Sequence, residues 1–241
     1  VLGALQQDAR LTMVERHLGL MPDAEVDDAA ARVRVMARAV ASQVDLDRVV
    51  ALAHTAPALP LVALPTPSAT SAAPRLRIGI ARDAAFGFYY PDDLAELEAA
   101  GASLVPIDTL HDSRLPALDG LFIGGGFPEI AMDALAANSA LRGALREAIE
   151  AGLPTYAECG GLMLLSRSIR WGDRAAPMVG AIPGDVVMHE RPVGRGYVQI
   201  EETADFPWPR LDAAAPALRH GHEFHHSSLI NLAPTLRYAY R

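Results

Sequence analysis

Leu153-Pro154-Thr155-Tyr156-Ala157-Glu158-Cys159-Gly160-Gly161-Leu162-Met163-Leu164-Leu165 is the stretch that decides the fold. An apolar strand ends, a cysteine follows at once, two glycines come next, and an apolar helix begins. This is the layout of a nucleophile elbow, where a sharp strand-to-helix turn lifts the nucleophile above the carboxyl edge of a sheet. Small residues after the nucleophile relieve the crowding of such a strained turn. Backbone N–H groups and the positive dipole end at a helix start stabilise a thiolate. A lone cysteine taken out of context is usually a buried structural residue, and the elbow context reverses that reading for Cys159.

Working outward from the elbow, Leu76 to Ala81 reads as a buried strand and Asp92 to Ala100 as a helix closed by Gly101. Ser103 to Ile107 and Gly120 to Ile123 read as two more strands, Met132 to Ala151 as helix broken near Asn138, and Leu153 to Ala157 as a fourth strand. Strands alternating with helices predict βαβ units and an α/β fold with a mostly parallel sheet. After Val186 the helical period weakens, and Val198-Gln199-Ile200 and Leu236 to Tyr240 read as strands of an antiparallel or edge section. Before the first strand, Asp23 to Ser42 carries Val26, Ala30, Val33, Ala37 and Val40 at helical spacing behind an acidic first turn. A second helix starts from Asp45 as N-cap and runs through Val49, Val50 and Leu52. Pro57, Pro60, Pro65, Pro67 and Pro74, mixed with Ser68, Thr70 and Ser71, give residues 56–74 linker composition. The chain therefore divides into 1–55, 56–74 and 75–241.

Among its 241 residues, all 21 cations are arginine, and they stand against 29 acidic groups for a net charge of −8. Without a lysine there is no Walker-type phosphate loop, no Schiff-base lysine and no pyridoxal phosphate attachment in this sequence. The acidic balance argues against a nucleic-acid partner, because no basic stripe is present to neutralise phosphates. One cysteine excludes an intrachain disulfide and a zinc site built on several thiolates. No run of about 18 apolar residues is uninterrupted, so no membrane span is expected. Val1 to Arg10 has neither an initiator Met nor a signal-peptide layout, and reads as a chain cut from something longer.

Two further stretches carry chemistry. Gly124-Gly125-Gly126-Phe127-Pro128-Glu129 follows the strand Leu121-Phe122-Ile123 directly. Three glycines at the carboxyl end of a parallel strand let backbone N–H groups point at developing negative charge. Alone this is as readily a tight turn; beside an elbow in the same sheet it reads as an oxyanion hole. Arg219-His220-Gly221-His222-Glu223-Phe224-His225-His226-Ser227-Ser228 holds four of the eight histidines. On a regular strand His220, His222 and His226 share one side and His225 faces away. Zinc on these histidines with Glu223 is one reading, and a single catalytic imidazole with neighbours is the favoured other. Tyr89 and Tyr90, before Pro91, either border the site or anchor a loop. His189-Glu190-Arg191 and Arg195-Gly196-Tyr197 are polar loop groups without an assigned catalytic role.

Taken together, Ala157-Glu158-Cys159-Gly160-Gly161, the Gly124 to Glu129 run and Gly221-His222-Glu223-Phe224-His225 resemble the glutamine amidotransferase domain of the cobyrinic and hydrogenobyrinic acid a,c-diamide synthase family. The resemblance covers 75–241. Residues 1–55, with Arg16-His17-Leu18-Gly19-Leu20 and Val44-Asp45-Leu46-Asp47, resemble the closing segment of that family's ATP-dependent synthetase domain. It implies a flavodoxin-like class I amidotransferase domain that hydrolyses glutamine and passes ammonia to the amidation of the corrin a and c carboxylates. Cys159 is then the nucleophile, His225 its base, and the backbone of Gly125, Gly126 and Gly160 the oxyanion holder. The choice of His225 over His222 rests on aligning Gly221 to Ser227 with the glycine-x-glutamine-phenylalanine-histidine-proline-glutamate motif of wider class I amidotransferases. Ser227 stands there in place of the third-member glutamate, so Glu223, Glu158 or a backbone carbonyl must orient the imidazole.

The same resemblance implies no metal and no cofactor in this chain, with ATP and Mg acting in a synthetase domain beyond it. The missing lysine fits that expectation, since a synthetase needs a phosphate-binding lysine. Glutamine and, through the synthetase domain, a corrinoid macrocycle are the implied partners, with a homodimer of the full-length enzyme and a cytoplasmic location. A low basal glutaminase rate is expected for the chain alone. Rival readings are the amidotransferase domains of cobyric acid synthase or nickel-sirohydrochlorin a,c-diamide synthase, a non-catalytic docking domain of the same fold, and a stand-alone cysteine hydrolase using Glu158.

Overall fold

The computed structural model describes residues 1–12, 29–58, 76–208 and 218–241. The chain forms two compact units, Val1–Ser68 and Ala69–Arg241. In the first, helix α1 spans Ala29–Gln43 and α2 spans Leu46–Ala53. The acidic start expected at Asp23, the Arg16 to Leu20 motif and most of the Pro-rich stretch lie outside the described residues. Helix α2 begins where its cap was expected, with the Asp45 carboxylate accepting from the Arg48 N–H at 3.0 Å. The Asp45 N–H in turn donates to the Leu2 carbonyl at 2.7 Å.

In the second unit the chain runs through β1 (Leu76–Ala81), β2 (Phe86–Phe88), α3 (Pro91–Ala99), β3 (Ala102–Ile107), β4 (Gly120–Ile123) and β5 (Gly125–Gly126). It continues through α4 (Met132–Ala137), α5 (Ser139–Glu150), β6 (Thr155–Ala157) and α6 (Gly160–Leu165). The central sheet has the order β3-β1-β4-β6, and every neighbouring pair is parallel. Counted along these four strands alone, the order is 2-1-3-4, the doubly wound flavodoxin-like arrangement expected of the α/β reading. The chain leaves β1 on one side to build β3 and returns on the other to build β4. That reversal opens a crevice at the carboxyl ends of β1 and β4, where such sheets place their sites.

Asn138 breaks the long helical stretch as the sequence predicts. Its side chain accepts from the Leu141 N–H to cap α5, while its amide donates to the carbonyls of Thr109 at 3.0 Å and Asp112 at 2.8 Å. Leu141 and Leu145 then share the buried face of α5 at i, i+4 spacing. They join Ile123, Met132, Leu135, Leu164, Ile169 and Val186 in one core. Each such side chain fully withdrawn from water contributes roughly 1.5–3 kcal/mol. Arg142, one residue on from Leu141, donates to the carbonyls of Leu135, Ala136 and Met178 at 3.1, 2.7 and 3.0 Å. It thereby satisfies carbonyls that the end of α4 leaves open.

The last third builds β7 (Ser168–Trp171), β8 (Arg174–Pro177), β9 (Asp185–Met188), β10 (Gly194–Glu201), β11 (Leu218–His225) and β12 (Ser227–Ile230). A second sheet has the order β12-β9-β7-β8, and β10 and β11 form a separate antiparallel ribbon. The expected strand at Val198 to Ile200 lies inside β10. The expected strand at Leu236 to Tyr240 does not form. The Leu236 N–H donates to the Ala233 carbonyl in a turn, leaving only the tip of the chain to pair, through an isolated bridge of Tyr240 with Glu202.

Candidate active site

Strand β6 carries the chain to the elbow. Ala157 pairs with Ile123, the Glu158 N–H donates to the Ile123 carbonyl at 3.1 Å, and the chain then turns over at Cys159 with φ 49° and ψ −113°. Among the described residues only Cys159 and Asn231 combine a side chain with positive φ. Such a conformation costs on the order of 1–3 kcal/mol and persists where the surroundings over-determine it. Here they do: a Cβ on Gly160 would lie 2.9 Å from both the N and O of Gly126 and 3.0 Å from Pro128 Cδ. Elbow and glycine run therefore touch backbone to backbone, which no larger residue at 160 permits.

Cys159 is solvent-accessible as a residue, yet its thiol is partly desolvated. Desolvation pushes its pKa above the ordinary thiol value, and the Glu129 and Glu158 carboxylates push the same way. Hydrogen bonds from the Gly160 and Gly126 backbone to the sulfur act in the opposite sense. The two stretches singled out in the sequence thus both act on the same thiol. Gly125 lies alongside, and a Cβ added to it would stand 3.6 Å from Cys159 Cβ. Glu129, whose carboxylate acts on the thiol, is 1% exposed.

His225 ends β11 opposite Gly194. Its Nδ1 stands 2.8 Å from the Ser227 carbonyl oxygen, and its Nε2 stands 3.4 Å from Glu223 Oε2. A carbonyl oxygen only accepts, so Nδ1 is the donor in that contact. Of the three groups expected to orient the imidazole, the backbone carbonyl holds Nδ1, at the position where glutamate stands in the wider motif. Glu223, two residues before His225 on the same strand face, approaches the other nitrogen. Glu158 accepts from the Tyr156 hydroxyl at 3.0 Å. Backbone contact confines the ring as well: a Cβ on Gly194 would strike His225 Nε2 and lie 2.8 Å from Cδ2 and 2.9 Å from Glu223 Cδ.

The other histidines separate from this group. His220 and His222 share the opposite face of β11, against Gln199 and Tyr197 respectively. His226 does not join them: β11 ends at His225, and His226 turns inward to 6% exposure with Nδ1 3.3 Å from the His189 carbonyl. Among the described residues, no three His, Cys, Asp or Glu side chains are grouped to hold a metal ion.

Tyr89 resolves to a loop anchor. Its hydroxyl donates to the Ala81 carbonyl at 2.6 Å, has the Phe122 carbonyl at 3.3 Å, and accepts from the Gly124 N–H at 3.1 Å. Sequence reasoning passed over Gly194 and did not single out the Ser227 carbonyl; neither is visible without the β10–β11 register. Cys159 and His225 are linked through the second sheet. Helix α6 leads into β7, and β12, beginning two residues after His225, is hydrogen-bonded to β9, which is hydrogen-bonded to β7.

A family model described as the CobB/CobQ-like glutamine amidotransferase domain matches residues 77–240. A cobyrinate a,c-diamide synthase of Magnetococcus marinus is 44% identical over 246 residues, taking in 100% of this chain and 52% of its own length. One from Listeria monocytogenes is 38% identical over 239 residues, 98% of this chain and 51% of its own. The chain thus spans about half the length of these curated relatives. A solved structure described as a glutamine amidotransferase superposes with a TM-score of 0.48 at 18% identity, covering 68% of this chain and 79% of its own.

Proposed function

We propose that this chain, which belongs to the CobB/CobQ-like glutamine amidotransferase domain family, hydrolyses glutamine at Cys159 and supplies the ammonia to an ATP-dependent amidation of a corrinoid's a and c carboxylates. The observation that carries the glutaminase half is Cys159 at a strained strand-to-helix elbow whose Gly160 packs backbone to backbone against Gly126. The corrinoid half rests on the names of the relatives, cobyrinate a,c-diamide synthases, and makes the complete reaction that of a carbon–nitrogen ligase.

In this reading His225 Nε2 takes the Cys159 proton, which the raised thiol pKa otherwise retains at neutral pH. The thiolate attacks the side-chain amide carbon of glutamine, and the carbonyl oxygen becomes an oxyanion held by Gly126 and Gly160. Each such donor is worth roughly 10²–10³ in rate. Glu223, 3.4 Å from Nε2, stabilises the imidazolium while the proton is there. The tetrahedral adduct collapses as that proton passes to the departing nitrogen, the C–N bond breaks, and ammonia leaves. Water, deprotonated by His225, then attacks the γ-glutamyl thioester and releases glutamate and the thiol.

In this reading ATP and magnesium act in the synthetase half of the reaction. The sequence has no lysine, and among the described residues no metal-ligand cluster occurs. No step here is routed through either, and both are assigned to a synthetase part outside this chain. Because acceptor activation lies there, we expect slow glutamine hydrolysis by the chain on its own. The test is covalent. A glutamine-derived chloroketone should label Cys159, and Cys159→Ser should lose both labelling and ammonia release. A folded chain whose Cys159 stays unlabelled, or whose ammonia release survives Cys159→Ser, sinks the proposal.

A further inference from the structure

We infer that Tyr89 is a positioning residue for the oxyanion, its hydroxyl holding the peptides of Gly124 to Gly126 so that the Gly126 N–H meets the developing charge. This deepens the glutaminase reading above and rests on it. The starting point is an accounting of hydrogen bonds where β4 ends. The Ile123 carbonyl is taken by the Glu158 N–H, so sheet pairing stops there. Gly124 is buried and its N–H comes next, beyond the last paired residue of β4. A buried donor left unsatisfied costs about 1–3 kcal/mol, and Tyr89 Oη supplies its acceptor at 3.1 Å.

The hydroxyl is fixed from its other side. It donates to the Ala81 carbonyl at 2.6 Å, the last residue of β1, with the Phe122 carbonyl of β4 3.3 Å away. The phenol thus occupies the crevice where the sheet order reverses, the place where doubly wound folds put ligands. Its ring stacks edge-to-face on Phe122 at 5.1 Å. Burial pushes its pKa up to about 12, so it remains a neutral donor and acceptor through the working pH range.

Beyond Gly124, the run is held along one edge by β2, with Phe86 opposite Gly126 and Phe88 opposite Gly125, and by the Phe127 N–H donating to the Ala85 carbonyl at 2.9 Å. The register of that short pairing shifts between Phe86 and Phe88, so it is irregular. Three consecutive glycines have the widest backbone freedom of any tripeptide. Tyr89 is the restraint at the upstream end. Removing its oxygen leaves the Gly124 N–H to seek another partner by rotating its peptide, and that rotation passes down the run to Gly126.

The test is Tyr89→Phe, which keeps the ring and removes only the oxygen. Two quantities are read: the pH dependence of Cys159 alkylation by iodoacetamide, and kcat and KM for glutamine. Because the Gly126 N–H also lowers the thiol pKa, mis-aiming it should move the alkylation midpoint upward with an unchanged high-pH plateau. Alongside, kcat should fall by about tenfold, less than outright removal of an oxyanion donor, with KM within about twofold. Phe122→Leu provides the packing control. It strips the edge-to-face contact but leaves the hydroxyl network, and should lose thermal stability while keeping the midpoint and kcat.

Folded Tyr89→Phe with a wild-type midpoint and kcat overturns the inference. So does a Phe122→Leu variant that loses kcat as Tyr89→Phe is expected to, a comparison that stands even if Tyr89→Phe does not accumulate. A wild-type chain that neither labels with chloroketone nor releases ammonia sinks the glutaminase reading instead; the alkylation midpoint still tests the aim of the Gly126 N–H.

Discussion

Substituting Gly194 by alanine tests the position of the proposed base without replacing any side chain that takes part in the proposed chemistry. Gly194 has no positive φ, so its backbone accepts a side chain without strain. The single added methyl meets a specific obstacle, landing on His225 Nε2, 2.8 Å from Cδ2 and 2.9 Å from Glu223 Cδ. Ordinary carbon contacts are near 3.5–4.0 Å, so the ring must retreat by about 1 Å or more. Both obstructing side chains are roughly two-fifths exposed and can yield toward solvent at the expense of the Ser227 contact, which puts the stability cost at about 1 kcal/mol. Catalysis has no such latitude, since a displacement of about 1 Å in a reacting group costs on the order of 10²-fold. Converted at 1.36 kcal/mol per decade, that is about 2.7 kcal/mol of lost transition-state stabilisation. Coupled detection of glutamate and a direct ammonia assay both read it, with a thermal melt alongside. Near-wild-type turnover by a folded Gly194→Ala chain would refute the reasoning, because it would mean that the ring held between Gly194 and the Ser227 carbonyl is not the base.

Ser227→Ala should hold activity within about twofold, since only its carbonyl touches His225; a hundredfold loss in steady-state kinetics would show that the hydroxyl matters. Alkylation of Cys159 should rise with pH through a midpoint above the roughly 8.5 of a free thiol, because the protonated form is favoured by burial and by Glu129. Glu129→Gln should bring that midpoint down, and an unmoved or rising midpoint would contradict the electrostatic account. Arg142→Ala removes three charge-assisted bonds to carbonyls. It should cost roughly 2–3 kcal/mol, seen as a melting midpoint about 5–10 °C lower, with Arg142→Lys recovering less than half.

The features that could be read ahead of the structure are those whose physics is local. The elbow announces itself because strand, cysteine, paired glycines and helix are contiguous. The break at Asn138 is a capping residue between two helical runs, and the parallel sheet follows from strands that alternate with helices. What escaped was set by pairing across long separations. Gly194 and His225 are opposite one another only through the β10–β11 register. Tyr89 could be placed in a loop but not beneath Gly124, because that requires β2 to fold back onto β5. The inward turn of His226 broke the strand periodicity that had grouped it with His220 and His222. The Leu236 to Tyr240 stretch has the alternation of a strand but a turn at Ala233 removes most of its pairing.

The contact that orients His225 comes from main chain, and this changes what can perturb it. A carboxylate in that place would protonate near pH 4 and loosen the ring in acid; an amide oxygen does not titrate in water. A carboxylate can also be deleted by one codon change, whereas the Ser227 carbonyl is kept by every amino acid and depends only on the path the chain takes between β11 and β12. What holds the ring at this position is then a bend in the backbone, and side chains of different kinds at 227 would leave that hold in place.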